Sequence, residues 1–173
     1  MAKTKAPVTA AVRLLRQAGV PFSGHCYTYN GGGTAEVAQA LGVDEHQVVK
    51  TLIMEDEQHQ PLIMLMHGDR EVATGALARQ VGAKRIQPCA PQTADKHSGY
   101  QVGGTSPFAT RRTMPVYCER SILQLEQLYI NGGKRGYILR LRSEDLQRLL
   151  SPKRVEVAVQ AGVGSPVSGR RSR

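Results

Sequence analysis

The runs Val48-Val49-Lys50-Thr51-Leu52-Ile53-Met54 and Pro61-Leu62-Ile63-Met64-Leu65-Met66, separated by the polar, acidic residues 55–60, decide the fold class. Each is a β-branched or apolar run. The pair therefore reads as two antiparallel strands and their loop. Upstream, Val8, Ala11, Val12, Leu15 and Ala18 share one helical face while Arg13, Arg16 and Gln17 face away, and Gly19 and Pro21 stop that helix. Residues 22–29 read as a strand. Gly31-Gly32-Gly33 reads as a turn, and Thr34 as the cap of a short helix carrying Val37, Ala38 and Leu41 and ended by Gly42.

Downstream, Asp69 is expected to cap a helix whose buried face is Val72, Ala73, Ala76, Leu77 and Val81, with Gly82 ending it. A short strand over 85–87 and a short helix over 90–98 follow. Residues 99–108 read as an extended, glycine-broken loop. Strands are predicted at 115–119, 128–131, 137–141 and 155–159. Gly132-Gly133-Lys134-Arg135-Gly136 reads as a turn, and Ser143 as the cap of a helix carrying Leu146, Leu149 and Leu150. Strands and helices alternate without a strict βαβ repeat, which predicts an α+β fold with a mixed, curled sheet rather than a doubly wound one.

The chain has 173 residues, 40% hydrophobic and 21% charged. That is enough apolar surface for one core and too much for a disordered chain. One domain over residues 7–161 is expected, between a flexible N-terminus at 1–6 and a basic, Gly/Ser/Pro-rich tail at 162–173. No run approaches the roughly 18 apolar residues of a membrane span, and no apolar signal core follows Lys3 and Lys5. A soluble, cytoplasmic protein with no membrane partner is expected. Lys3, Lys5, Arg170, Arg171 and Arg173 carry +5 of the net +9, which leaves +4 on residues 6–161. A basic body fits a polyanionic partner such as nucleic acid, and equally fits a plain solubility device.

Lys50 is the one charged residue in its seven-residue apolar run. Two readings fit it: an ammonium beside a low-dielectric pocket, where phosphate or ester oxygen is its natural partner, or a solvent-face lysine that snorkels. The loops Gly103-Gly104-Thr105-Ser106-Pro107 and Gly132-Gly133-Lys134-Arg135-Gly136 let backbone amides approach a ligand, although turn chemistry alone also explains them. Neither has Walker spacing, since Leu128 stands where the first glycine is needed and Arg135 follows the lysine. The dinucleotide fingerprint and the Gly-x-Ser-x-Gly elbow are absent, Ser106 has no base legible beside it, and strand neighbours His25 and Cys26 point to opposite faces. Cys26, Cys89 and Cys118 are odd in number and far apart, so reduced thiols are expected. The histidines 25, 46, 59, 67 and 97 never pair at i, i+4, so no structural metal is expected.

Four motifs in order carry a resemblance: His25-x-Tyr27, Gln47-Val48-Val49-Lys50-Thr51-Leu52, Gly99-Tyr100-x-Val102-Gly103-Gly104-x-Ser106-Pro107, and Gly132-Gly133-Lys134-Arg135-Gly136. Over about residues 7–159 the chain resembles the YbaK-type aminoacyl-tRNA deacylases, relatives of the editing domain inserted in bacterial prolyl-tRNA synthetases. The resemblance implies a mixed sheet curled into a partial barrel surrounded by helices, no cofactor, and a monomer. It implies removal of wrongly attached amino acids from tRNA, cysteine from tRNA(Pro) above all, in company with prolyl-tRNA synthetase. The family's key lysine matches Lys50, its tyrosine Tyr27 and its loop glycine Gly103, which are the expected catalytic residues. Gly104, Thr105, Ser106, Pro107, Phe108, Asn131, Gly132, Gly133, Lys134 and Arg135 are the expected substrate contacts. Among these, the Gly103 and Gly104 amides would stabilise charge on the ester oxygen, Tyr27 or Phe108 would line the pocket or stack the adenine, and Lys134 and Arg135 would meet the acceptor-stem backbone. In the cysteine-specific branch the substrate's own thiol attacks its carbonyl, so the protein positions rather than supplies a nucleophile.

Two departures bear on specificity. Asn131 stands where the cysteine-specific pattern has Ser, and Ile138 where it has an acid. Serine, threonine and alanine esters therefore stay open beside cysteine. A non-catalytic tRNA- or synthetase-binding adaptor and an unrelated nucleotide-phosphate enzyme are the rival readings.

Overall fold

The computed structural model describes residues 5–160, and the tail predicted at 162–173 lies outside the described residues, as do the first four residues of the predicted N-terminal segment. At its centre β2 (Val48–Asp56) and β3 (Pro61–His67) form the expected antiparallel hairpin, with Lys50 opposite Met66 and Thr51 opposite Leu65. All seven residues of β3 are buried. Ile63 and Leu65 enter one core while Leu62, Met64 and Met66 enter another on the opposite sheet face, which is why this run is apolar throughout rather than alternating.

The other strands are β1 (Ser23–Cys26), β4 (Arg70–Val72), β5 (Ile86–Pro88), β6 (Val116–Glu119), β7 (Gln127–Lys134), β8 (Tyr137–Arg142), β9 (Lys153–Val155) and β10 (Ala158–Gln160). The main sheet runs β1-β8-β7-β2-β3-β6-β9, with β5 also paired to β2, while β10 and β4 form a separate pair. Pairs β2–β7, β3–β6 and β6–β9 are parallel and β1–β8, β7–β8, β2–β3 and β2–β5 antiparallel, so the sheet is mixed, as predicted. Among the described residues five α-helices pack around it: α1 (Ala10–Gln17), α2 (Gly33–Leu41), α3 (Thr74–Val81), α4 (Pro91–Ser98) and α5 (Ser143–Leu150). Helix α1 buries Ala11, Val12 and Leu15, and its cap Thr9 accepts the Val12 N–H at 3.1 Å.

Several local expectations are corrected. Thr34 lies inside α2, whose cap is Gly32, and its hydroxyl donates to the Glu45 carboxylate at 2.7 Å instead. Asp69 caps nothing. It sits in the turn before β4, which the sequence did not signal, and α3 begins after Ala73. Ser143 is the first residue of α5 rather than its cap, and its hydroxyl donates to the Leu125 carbonyl. Gly132-Gly133-Lys134 continue β7 through a register shift between Asn131 and Lys134, leaving only Arg135 and Gly136 in the turn. The strand predicted over 22–29 is confined to Ser23–Cys26. The last one breaks in two, because the Val157 N–H turns to the Glu119 carboxylate at 2.8 Å.

Candidate active site

Strand β2 is paired on both edges only at its ends. On the edge away from β3, β7 accompanies it at Val48–Val49 and β5 at Met54–Asp56. The register shift in β7 begins at Asn131, where a third β2 partner would otherwise stand. The interval this leaves opens on a cavity of about 510 Å³. Residues 48–54 form its floor, Tyr27, Tyr29 and the start of α2 one wall, and Val102, Gly103, Thr105 and the start of α4 another.

Of the predicted residues, Lys50, Tyr27, Gly103, Thr105 and Asn131 meet on this cavity. Lys50 is half-buried. Desolvation holds its ammonium pKa below the ordinary lysine value, and the carboxylates of Glu71, Glu45 and Asp69 pull it partly back. Burial first, and the Glu36 charge second, raise the Tyr27 pKa, so its hydroxyl stays a neutral phenol that can donate. Asn131 and Ile138 are cross-strand partners in the β7–β8 pair, and both line the cavity. The two positions expected to depart from the cysteine-specific pattern thus face each other, and Ile138 is fully buried and needs no polar partner.

The two glycine loops press on each other beside this cavity. A Cβ on Gly104 would stand 2.6 Å from backbone atoms of Lys134 and Arg135, and one on Gly103, at φ +99°, 2.5 Å from the Tyr29 hydroxyl. Arg135 Nε donates to the Val102 carbonyl at 2.8 Å, and its guanidinium lies 5.0 Å from the Tyr29 ring centre, so Arg135 clasps the loops together. The remaining predicted contacts are structural here. The Gly104 amide is spent on the Gln101 carbonyl at 2.8 Å, Ser106 is fully buried and accepts the Phe108 N–H, and Pro107 is buried beside it. Phe108 is entirely inside the core, its carbonyl taking the Tyr100 hydroxyl at 2.6 Å, and therefore cannot stack a base. The Gly132 carbonyl accepts from Thr9, and a Cβ on Gly133 would meet the Tyr100 ring at 2.8 Å. Lys134 and Arg135 instead line a second cavity of about 360 Å³ with Lys5, sharing Tyr27 and Tyr29 with the first.

Sequence reasoning missed Tyr29, Thr51 and Cys89 on the main cavity. Tyr29 follows Tyr27 at the strand period of two, a usable signal. Thr51 and Cys89 resemble ordinary strand and core residues. The Cys89 thiol is pushed up to about 12 by burial and by Glu55, so it is no thiolate nucleophile. Far apart in sequence, His46, His67 and Asp69 also come together. His46 Nδ1 meets Asp69 at 2.9 Å, its ring stacks on His67 at 3.7 Å, and both His67 ring nitrogens are held at 2.7 Å, by the His46 carbonyl and Ser121 Oγ. A metal there would have to displace these bonds.

The model of the aminoacyl-tRNA editing domain family matches residues 30–149, which takes in β2, both glycine loops and the lining of the main cavity apart from Tyr27 and Tyr29. The chain belongs to that family. Among relatives of this editing domain, EbsC of Enterococcus faecalis, provisionally named a Cys-tRNA(Pro)/Cys-tRNA(Cys) deacylase, is 25% identical over 92% of this chain and 99% of its own. The proline–tRNA ligase of Streptococcus equi subsp. zooepidemicus is 29% identical over 60% of this chain, a match spanning 17% of that ligase. In fold the editing domain resembles the hypothetical protein APE2540 at a TM-score of 0.80 and 21% identity, covering 87% of this chain and 99% of that one. It also resembles a crystal structure provisionally described as a trans-editing enzyme for prolyl-tRNA synthetase, at 0.76 and 21%, covering 90% and 99%. No helix among the described residues is long and apolar enough to cross a membrane.

Proposed function

We propose that this editing domain is a trans-acting deacylase of mischarged tRNA, that Cys-tRNA(Pro) is its leading substrate, and that it works as a cytoplasmic monomer without a cofactor alongside prolyl-tRNA synthetase. The observation that carries the reading is the convergence of Lys50, Tyr27 and Gly103 on one cavity in a chain of the editing family. The Lys50 ammonium holds a phosphate or ester oxygen of the terminal adenosine. Tyr27 offers a ring and a neutral hydroxyl donor, and the Gly103 amide faces the ester oxygen on which charge develops. Lys134, Lys5 and the free guanidinium nitrogens of Arg135 border the second cavity, where phosphates of the acceptor end would lie.

No protein nucleophile is required for a cysteinyl ester. Its thiol sulfur attacks the acyl carbon, a C–S bond forms as the ester C–O bond breaks, and the thiol proton passes to the departing 3′-oxygen. A cyclic thiolactone and free tRNA result. The printed name of EbsC supports cysteine as the acyl group, while Asn131 and Ile138 favour testing seryl, threonyl and alanyl esters beside it. The test is a panel of these esters on tRNA(Pro), with wild type and Lys50→Ala. Ester loss that falls about 100-fold in the variant is expected. Tight, salt-sensitive tRNA binding with no turnover of any ester would instead make the protein an adaptor.

A further inference from the structure

The open edge of β2 supplies a recognition element that the cavity description leaves unused. Two backbone bonds at the ends of the hairpin, Gly68 N–H to the Val48 carbonyl at 2.6 Å and Asp56 N–H to the Gln60 carbonyl at 3.1 Å, fix the even-numbered residues of β2 as those bonded toward β3. Odd-numbered residues therefore turn their N–H and C=O to the opposite edge. There Val49 faces β7, the Ile53 carbonyl accepts the Cys89 N–H at 3.0 Å, and Glu55 pairs with Gln87. Thr51, midway between them, has no strand against it among the described residues and borders the cavity. Its side-chain oxygen is also buried without a hydrogen-bond partner among the described residues. A buried polar group left unpaired is costly, so one residue carrying an open backbone donor, an open acceptor and an orphan hydroxyl calls for a ligand with three matching groups.

An aminoacyl ester is such a ligand, since it is a single residue with an amine, a carbonyl and a side chain. We infer that, given the deacylase reading above, the acyl group docks as a one-residue antiparallel strand against Thr51. In that arrangement its α-ammonium donates to the Thr51 carbonyl, its ester carbonyl accepts the Thr51 N–H, and its β-thiol or β-hydroxyl meets Thr51 Oγ1. Residues opposite each other in a hydrogen-bonded antiparallel pair exchange both backbone bonds and put their side chains on one sheet face. The acyl side chain thus enters the face that Thr51 shares with Val49 and Ile53, beside Cys89 and Ala94. The Thr51 amide joins that of Gly103 as a donor to the oxygen that gains charge. Lys50, the next residue, points to the other sheet face and reaches the same cavity from there, which leaves it free for the adenosine end.

The inference is tested with 3′-deoxy-3′-cysteinylamino-adenosine, whose amide link is not cleaved, titrated into the ¹⁵N-labelled full chain. The Thr51 amide proton is expected to move downfield and to exchange with solvent at least about tenfold more slowly, as a newly bonded amide does. The same analogue lacking its α-amine should bind about tenfold more weakly. In parallel, Thr51→Val should lower the ratio of kcat/KM for seryl over alanyl esters of tRNA(Pro) by about three- to tenfold, the loss expected for one neutral hydrogen bond, and Thr51→Ser should restore it. Thr51→Val should melt no lower than wild type, because it removes an unpaired group. An analogue that shifts Gly103 and Asn131 but not Thr51, or a selectivity ratio that Thr51→Val leaves unchanged, overturns the inference while the deacylase reading stands. Absence of turnover of every ester by wild type overturns both.

Discussion

Lys50 and Thr51 are chain neighbours with opposite side-chain directions, yet both border one cavity, because that cavity lies along a strand edge rather than on a sheet face. Lys50 was legible as the lone charge in an apolar run. A threonine in a strand looks like any other strand former, and nothing local shows that its backbone lacks a neighbour. For Lys50 the sign of the pH effect follows from burial. In the proposed role the working form is the ammonium; its pKa is lowered by burial, so that form is lost as pH rises through the lowered value. The kcat/KM profile, corrected for spontaneous ester hydrolysis, should therefore fall at a pH below the ordinary lysine value of about 10.4, and Lys50→Arg should remove that limb from whatever activity it keeps. An alkaline limb at or above the ordinary value would show that burial does not lower the Lys50 pKa, and a profile with no alkaline limb would show that the ammonium is not the reactive form. Phe108 gives the opposite lesson. Expected from the resemblance to line the pocket or stack the adenine, it is fully buried, so Phe108→Ala should cost about 3–5 kcal/mol in denaturant unfolding. A loss below about 1 kcal/mol would return it to the surface.

Among the elements, hairpin, helices and helix-ending glycines were largely legible, since apolar period and left-handed glycine are local signals. Gly42, Gly82 and Gly99 all close helices at positive φ. The misread caps share one cause. Thr34, Asp69 and Ser143 have cap chemistry, but Thr34 bonds Glu45, Asp69 meets His46, and Ser143 bonds Leu125, partners that only folding brings near. The turn predicted at 132–136 failed similarly: β8 captures Lys134 opposite Tyr137, extending the ladder through two glycines. The contact between the two loops is the element on which the cavity wall depends. Gly104→Ala would push its methyl into the backbone of Lys134 and Arg135 and is expected to cost about 1–3 kcal/mol. Deacylation should fall further than the lost folded fraction explains, because Gly103 moves with its neighbour. Equal losses of folded protein and of rate would mean that the wall tolerates the shift.

For the whole molecule, the proposed tRNA substrate makes net charge the property to test. Arg170, Arg171 and Arg173 provide three of the net nine positive charges, with no acid between residues 162 and 173. Removing residues 162–173 should reduce the slope of log affinity for tRNA against log salt by up to about 0.9 for each arginine that meets a phosphate. It should leave kcat on saturating tRNA unchanged. An unaltered slope would mean that those arginines make no phosphate contact.

By itself the sequence determined the α+β class, the central hairpin, the family resemblance and the prominence of Lys50, because periodicity, glycine punctuation and an isolated charge are properties of short segments. Tertiary structure alone decided that Phe108 and Ser106 belong to the core, that Asn131 and Ile138 face each other, and that β2 is left open at Thr51. Those outcomes depend on where β7 slips register and where β5 joins, on strand pairings between segments tens of residues apart whose energy comes from mutual burial and hydrogen bonding, and no local pattern encodes that.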